Sequence, residues 1–261
     1  MSIRTLASII TCAAAVSSAQ AEGLKSVSIL PGWSIVDGTR VAGLLIELED
    51  EWKTYWRSPG ASGYPPQFDF SASQNISNIA IQWPAPNVFG TDEYATIGYK
   101  KAVVLPLIIS PTQPDLDVEI SLSADIGVCE DVCIPVTFTL SDIVEPTTNV
   151  RTPSLLAALA NGAWSVEDMG IAGISCDLFV QQDGFGVDVK VPLGQLDQNT
   201  RIIVEYPASN VWVDNGFTKG SNASLQMRAS VIAQTNTALA RDAFVINLLG
   251  DGVWIQKKGC Y

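Results

Sequence analysis

Histidine is absent from all 261 residues, and that one absence removes several kinds of chemistry. Without an imidazole there is no Ser-His-Asp or Cys-His nucleophile and no His-bearing zinc or copper centre. Any chemistry must rest on cysteines, carboxylates or backbone. Positive charge is scarce too: 15 Lys+Arg stand against 27 Asp+Glu, a net charge of −12. Nucleic acid is a poor partner for such a field, because phosphate binding draws on clustered Lys and Arg. Nowhere does an apolar run reach the length of about eighteen residues that a membrane helix needs, so the mature chain is expected to be soluble. Beyond the initiator only Met169 and Met227 remain, which offers little to a thioether-rich copper site.

What is present begins with a segment that reads as an export signal over residues 1–21. It has one positive charge at Arg4, an apolar run from Leu6 to Val16, and the small-x-small pattern Ala19-Gln20-Ala21, with cleavage expected after Ala21. Cys12 leaves with that segment. Thr11 stands directly before it where a lipoprotein would carry a smaller residue, so acylation at Cys12 is not expected. The rest of the chain, drawn from a sequence that is 47% hydrophobic, is long enough for two cores of ordinary size.

Short β-branched runs broken by Gly, Pro, Asn and Asp fill the first half: Val41–Leu48, Ile79–Trp83, Val103–Ile109, Val118–Leu122 and Val136–Leu140. That texture predicts an antiparallel sandwich. Pro84, Pro86, Pro106, Pro111 and Pro114 fall at or beside strand ends, where a missing donor is tolerated. Pro146-Thr-Thr-Asn149 then reads as a linker, and Thr152-Pro153 as a helix start, Thr at the N-cap and Pro at the first helical position, with the helix running through Ala160. A second β-rich region follows, with strands expected at Val187–Val191, Arg201–Tyr206, Leu225–Ala229 and Ala243–Leu249. The expected organisation is all-β: one sandwich over 22–145, a linker with a short helix over 146–165, and a second sandwich over 166–261.

Four cysteines remain in the exported chain, and four cysteines allow three pairings. Spacing favours Cys129 with Cys133 and Cys176 with Cys260. In the chain-entropy model the short ring is worth about 2 kcal/mol and the long loop about 4.6 kcal/mol. Cys176 and Cys260 are therefore expected to form a structural bond that pins the end of the second domain to its start. The short pair lies in Gly127-Val-Cys-Glu-Asp-Val-Cys-Ile-Pro135, after an expected strand. Three readings stay open for it from these residues alone: a redox-active disulfide, an inert clip on a turn, and a two-thiolate Cu(I) site. Glu130 and Asp131 lie between the thiols and raise the cost of a thiolate, so the pair suits being attacked better than attacking. No cofactor is expected.

Three stretches together resemble the N-terminal, immunoglobulin-like periplasmic domain of the DsbD family of disulfide reductases, and more closely its copper-sensitivity suppressor ScsB branch. They are Trp52-Lys-Thr-Tyr-Trp-Arg-Ser-Pro-Gly-Ala-Ser-Gly-Tyr-Pro-Pro66, Ile97-Gly-Tyr-Lys-Lys-Ala-Val-Val-Leu-Pro106, and Gly127 to Pro135. The resemblance implies a periplasmic location and an immunoglobulin-like fold. It implies that Cys129 and Cys133 are the redox pair, with Cys133 forming the mixed disulfide. It also implies that the loop with Phe89, Asp92, Glu93 and Tyr94 caps the pair. The implied donor is a membrane-embedded or thioredoxin-like disulfide reductase, and the implied acceptors are periplasmic thiol oxidoreductases. The three residues between the cysteines are fewer than in the best-known members. Membrane segments and a thioredoxin-like domain are not in this sequence, so it is expected to be one link in a relay. By their residue types alone, Trp52, Tyr55 and Trp56 read as core, and Arg57 as an ion-pair partner for a carboxylate. The competing class is a non-catalytic sandwich that binds a partner, with both disulfides structural.

Overall fold

Strict alternation builds the longest strands. In β9 (Val118–Cys129) the side chains of Val118, Ile120, Leu122, Ala124, Ile126 and Val128 are all buried, while Glu119 and Ser123 point out. A period of two on a pleated strand sends these sets to opposite faces. β9 pairs without a break to β10 (Cys133–Val144), from Val118↔Val144 to Cys129↔Cys133. The computed structural model describes residues 22–60, 62–90, 94–182, 184–234, 237–250 and 252–261. Residues 1–21, expected from the sequence to be an export signal, lie outside them.

The other strands of the first half are β1 (Leu24–Ser34), β2 (Arg40–Leu48), β3 (Lys53–Tyr55), β4 (Gln67–Asp69), β5 (Ile76–Ile81), β6 (Asn87–Phe89), β7 (Thr96–Lys100) and β8 (Ala102–Pro111). They form two sheets, ordered β1-β2-β8-β5 and β10-β9-β3-β7-β6, with β4 added on β9. Leu44, Ile46, Leu105 and Leu107 from the first sheet meet Ile120, Leu122, Ile126 and Trp56 from the second in one core. A buried side chain of this kind contributes roughly 1.5–3 kcal/mol.

α1 (Pro153–Ala160) starts at the expected residue, although Thr152 makes no side-chain cap, so Pro153 at the first turn sets the start. The helix is docked: Leu155 is fully buried with Trp33, Val41 and Val104, on the outer face of the first sheet. A side chain at Gly43 would press within 3.1 Å of Leu155.

The second half contributes β11 (Trp164–Ser165), β12 (Ser175–Gln181), β13 (Gly184–Pro192), β14 (Arg201–Glu205), β15 (Val211–Asn215), β16 (Lys219–Gly220), β17 (Ser224–Ala233), β18 (Val245–Gly250) and β19 (Val253–Lys258). β11-β19-β18-β14 make the third sheet, and β12-β13-β17-β15, with β16 on β17, the fourth. The expected strand from Ala243 begins at Val245, because Arg241–Ala243 is a 3-10 turn. Among the described residues the chain is thus all-β with β-sandwich packing and one short α-helix, as the sequence predicts.

The third sheet has no wet face at its centre. Ile202, Val204, Ile246, Leu248 and Ile255 pack toward the fourth sheet, whereas Ile203, Leu249 and Trp254 join the core of the first sandwich. The nearly continuous apolar runs of β14 and β18 follow from being covered on both sides.

Candidate functional site

Cys129 and Cys133 face each other across the end of the β9–β10 hairpin and are joined as a disulfide, their Cα atoms 4.1 Å apart. The two ends differ. Cys129 is 0% exposed, while Cys133 is exposed next to Val132, itself 71% exposed. Alternation along β9 explains the first half of that asymmetry, since Asp125, Gly127 and Cys129 share the outer face while Ile126 and Val128 enter the core.

That outer face is roofed by two tyrosines. β3 lies beside β9 in the register Lys53↔Cys129 and Thr54↔Val128, so Thr54 points inward and Lys53 and Tyr55 share the face of the disulfide. The Thr54 hydroxyl donates to the Gly127 carbonyl at 2.9 Å and holds the two strands together. The Tyr55 hydroxyl reaches both sulfurs, 2.9 Å from Cys133 Sγ and 2.9 Å from Cys129 Sγ. A disulfide sulfur carries no proton, so the phenol is the donor and sulfur a weak acceptor. Burial pushes the Tyr55 hydroxyl above its ordinary titration range and keeps it protonated. Tyr64 lies over the same strand and donates to Asp125 Oδ2 at 2.7 Å, the bond that chiefly raises its own pKa.

Gly127 makes this roof possible. A Cβ there would stand 2.8 Å from Tyr64 Cβ and 2.9 Å from the Tyr55 ring.

The charge around the pair is mixed. Glu130 and Asp131 occupy the turn, as the sequence shows, but two ammonium groups share the disulfide's face. Lys53 lies beside Cys129 and pairs across to Lys100. Both approach the ring of Phe89, at 5.8 and 5.7 Å from its centroid. Phe89 is half-buried at the end of β6 and, through Phe89↔Thr96, on that same outer face. Tyr94 is 74% exposed. Asp92 and Glu93 lie outside the described residues. Among the described residues of the expected cap, Phe89 stands on the disulfide's face.

Tyr55 is the residue that composition misleads about. It is buried, 3% exposed, and yet its hydroxyl lies at the sulfurs instead of in the core with Trp56. The alternation Lys53-Thr54-Tyr55 was the available signal, a cationic residue sharing its face. Arg57 finds its carboxylate in Glu205, 148 positions away. Cys176 and Cys260 pair as spacing predicts, although the bond joins β12 of the fourth sheet to the residues after β19 of the third. It crosses between sheets and does not link neighbouring strands.

The sandwich thus presents one sulfur of a hairpin disulfide to solvent and holds the other beneath a phenol. Residues 26–145 match the family described as thiol:disulfide interchange protein DsbD, N-terminal. Among solved structures, the N-terminal periplasmic domain of ScsB from Proteus mirabilis is similar, with a TM-score of 0.58 at 20% identity, covering 86% of this chain and 89% of that one. At this identity the likeness concerns the fold, which extends across both halves. No curated protein matches the chain. Among the described residues no helix is long and apolar enough to cross a membrane.

Proposed function

We infer that this chain is a periplasmic electron relay, reduced by a membrane-embedded or thioredoxin-like reductase and oxidised by periplasmic thiol oxidoreductases through Cys129 and Cys133. The observation that carries this reading is the asymmetry of the pair: Cys133 is open to a partner and Cys129 is not. A thiolate needs access to the sulfur it attacks. The donor's thiolate bonds to Cys133 Sγ, the Cys129–Cys133 bond breaks, and its electron pair passes to Cys129 Sγ, which faces the Tyr55 hydroxyl. A hydrogen bond from that phenol stabilises the charge as it develops. The donor's second thiolate then attacks its own bridged sulfur and frees Cys133. Two electrons have moved, the donor's dithiol has become a disulfide, and two protons complete the thiols here. Handing electrons on reverses these steps, with Cys133 attacking and Cys129 resolving.

Residues 22–145 carry this exchange. The loop of Phe89, Asp92, Glu93 and Tyr94 is our proposed cap over the pair, supported by Phe89 standing on the disulfide's face with Lys53 and Lys100 near its ring. A Cys129→Ala variant should trap a stable mixed disulfide through Cys133 with a thioredoxin-like protein stripped of its resolving cysteine. Cys133→Ala should trap little. Non-reducing gels and mass spectrometry of the bridged peptide read the outcome. Trapping through Cys129 would reverse the polarity, and no trapping by either variant would leave the pair as a structural clip.

A further inference from the structure

The residue after the roofing tyrosine is Trp56, fully buried in the first core, and the next is Arg57, whose side chain reaches across to the second half. Its guanidinium meets Glu205 of β14 in a two-pronged pair, Nε to Oε1 at 2.9 Å and Nη2 to Oε2 at 2.8 Å. Its Cζ also lies over the rings of Trp56 and Trp254, 4.3 and 4.8 Å from their centroids. Those two indoles meet edge to face at 5.4 Å. Glu205 is held in turn: Asn247, 0% exposed, donates to its Oε2 at 2.8 Å and to the Ile203 carbonyl, and accepts from Trp254 Nε1 and Gln256 Nε2.

Three consecutive side chains therefore tie three places together: Tyr55 the disulfide, Trp56 the first core, Arg57 the second sandwich. The chain after Arg57 returns to the site within a few residues, at Tyr64 on Asp125. The strand carrying Tyr55 is only three residues long; backbone bonds to β7 continue past it, Trp56 N–H to the Ile97 carbonyl and Ile97 N–H to the Pro59 carbonyl, both at 2.9 Å. Arg57 lies between those two bonds and adds a side-chain hold from the second sandwich.

We propose that Arg57 and Glu205 are positioning residues for the exchange reaction, the second sandwich serving as a clamp that holds the Tyr55 hydroxyl against the sulfurs. This rests on the relay reading and on Tyr55 assisting the departure of Cys129. A bidentate, ring-stacked guanidinium suits the task because its planar fork fixes direction as well as distance. The clamp has a sign that simple electrostatics lacks. Removing a carboxylate near a thiolate favours the thiolate by field alone and would speed exchange; loosening the phenol slows it.

The test is the second-order rate constant for reduction of the Cys129–Cys133 bond by dithiothreitol, measured on the whole chain across neutral and mildly alkaline pH. The proteins are the parent, Tyr55→Phe, Glu205→Gln, Arg57→Lys, and Tyr55→Phe with Glu205→Gln. Circular dichroism and tryptophan emission check that each is folded. Tyr55→Phe should slow the reaction about tenfold, the scale of one hydrogen bond to a developing charge. Glu205→Gln and Arg57→Lys should each slow it roughly threefold. The double variant should react like Tyr55→Phe alone, because two changes acting through one hydroxyl do not add. Parent rates in both Glu205→Gln and Arg57→Lys beside a slow Tyr55→Phe would overturn the clamp and leave the Tyr55 assignment standing. Faster exchange in Glu205→Gln, or an additive double variant, would also overturn it. A parent rate in Tyr55→Phe would overturn the Tyr55 assignment and the clamp with it, and the trapping experiment would then judge the relay separately.

Discussion

Gly127 has room for a hydrogen and little else, since a methyl there meets the rings that roof the disulfide. Gly127→Ala should therefore displace Tyr55 from the sulfurs, slowing reduction by a small thiol while costing about 1–3 kcal/mol from overpacking. Stopped-flow reduction and denaturant unfolding measure the two effects, and an unchanged rate would show that the rings tolerate the methyl. Tyr55 also gives stability a pH dependence. Burial raises its pKa, so the folded state holds this proton more tightly than the unfolded chain does. That contribution is complete below the ordinary tyrosine value of about 10 and is lost as pH climbs above it. Denaturant titrations at rising alkaline pH should show stability falling more steeply in the parent than in Tyr55→Phe.

Among the elements, the two disulfides are expected to separate by role. Cys176 and Cys260 are 5% and 0% exposed and close a long loop between two sheets of the second half. Cys176→Ala or Cys260→Ala should cost a few kcal/mol in unfolding while the rate of exchange at Cys129–Cys133 is preserved. Equal loss of exchange in these variants would mean that the bonds are not independent. Both pairings were legible in the spacing, and β2, β8, β9 and β13 in β-branched or alternating runs. α1 was legible from Thr152-Pro153, the proline supplying the start that the threonine does not cap. β19 was not legible. Trp254 and Ile255 are consecutive and both buried, because each face of their sheet is covered, and a strand without a wet face shows no period of two. Tyr55 hid for a related reason: in a cluster with Trp52 and Trp56 an aromatic reads as core, and only pairing with β9 reveals which face it takes.

For the whole molecule, the contact between the halves could not be read ahead of the fold. Arg57 and Glu205 are 148 residues apart, and nothing local to either names the other. Net charge also misled about the site, because a chain at −12 sets Lys53 and Lys100 around Phe89, on the face of the Cys129–Cys133 bond. The doubly covered third sheet carries one more consequence. A strand with one wet face is locked in place by hydrophobicity, since a slip by one residue turns its apolar side chains outward. β18 has no such lock: Ile246, Leu248 and Leu249 are apolar and buried whichever way they point. Its one fully buried polar side chain is Asn247, and a slip would strand that amide away from the Ile203 carbonyl, Glu205, Trp254 and Gln256. Unpaired buried polar groups cost about 1–3 kcal/mol each. In the layer where greasiness says nothing about alignment, a single amide spells out which residue sits opposite which.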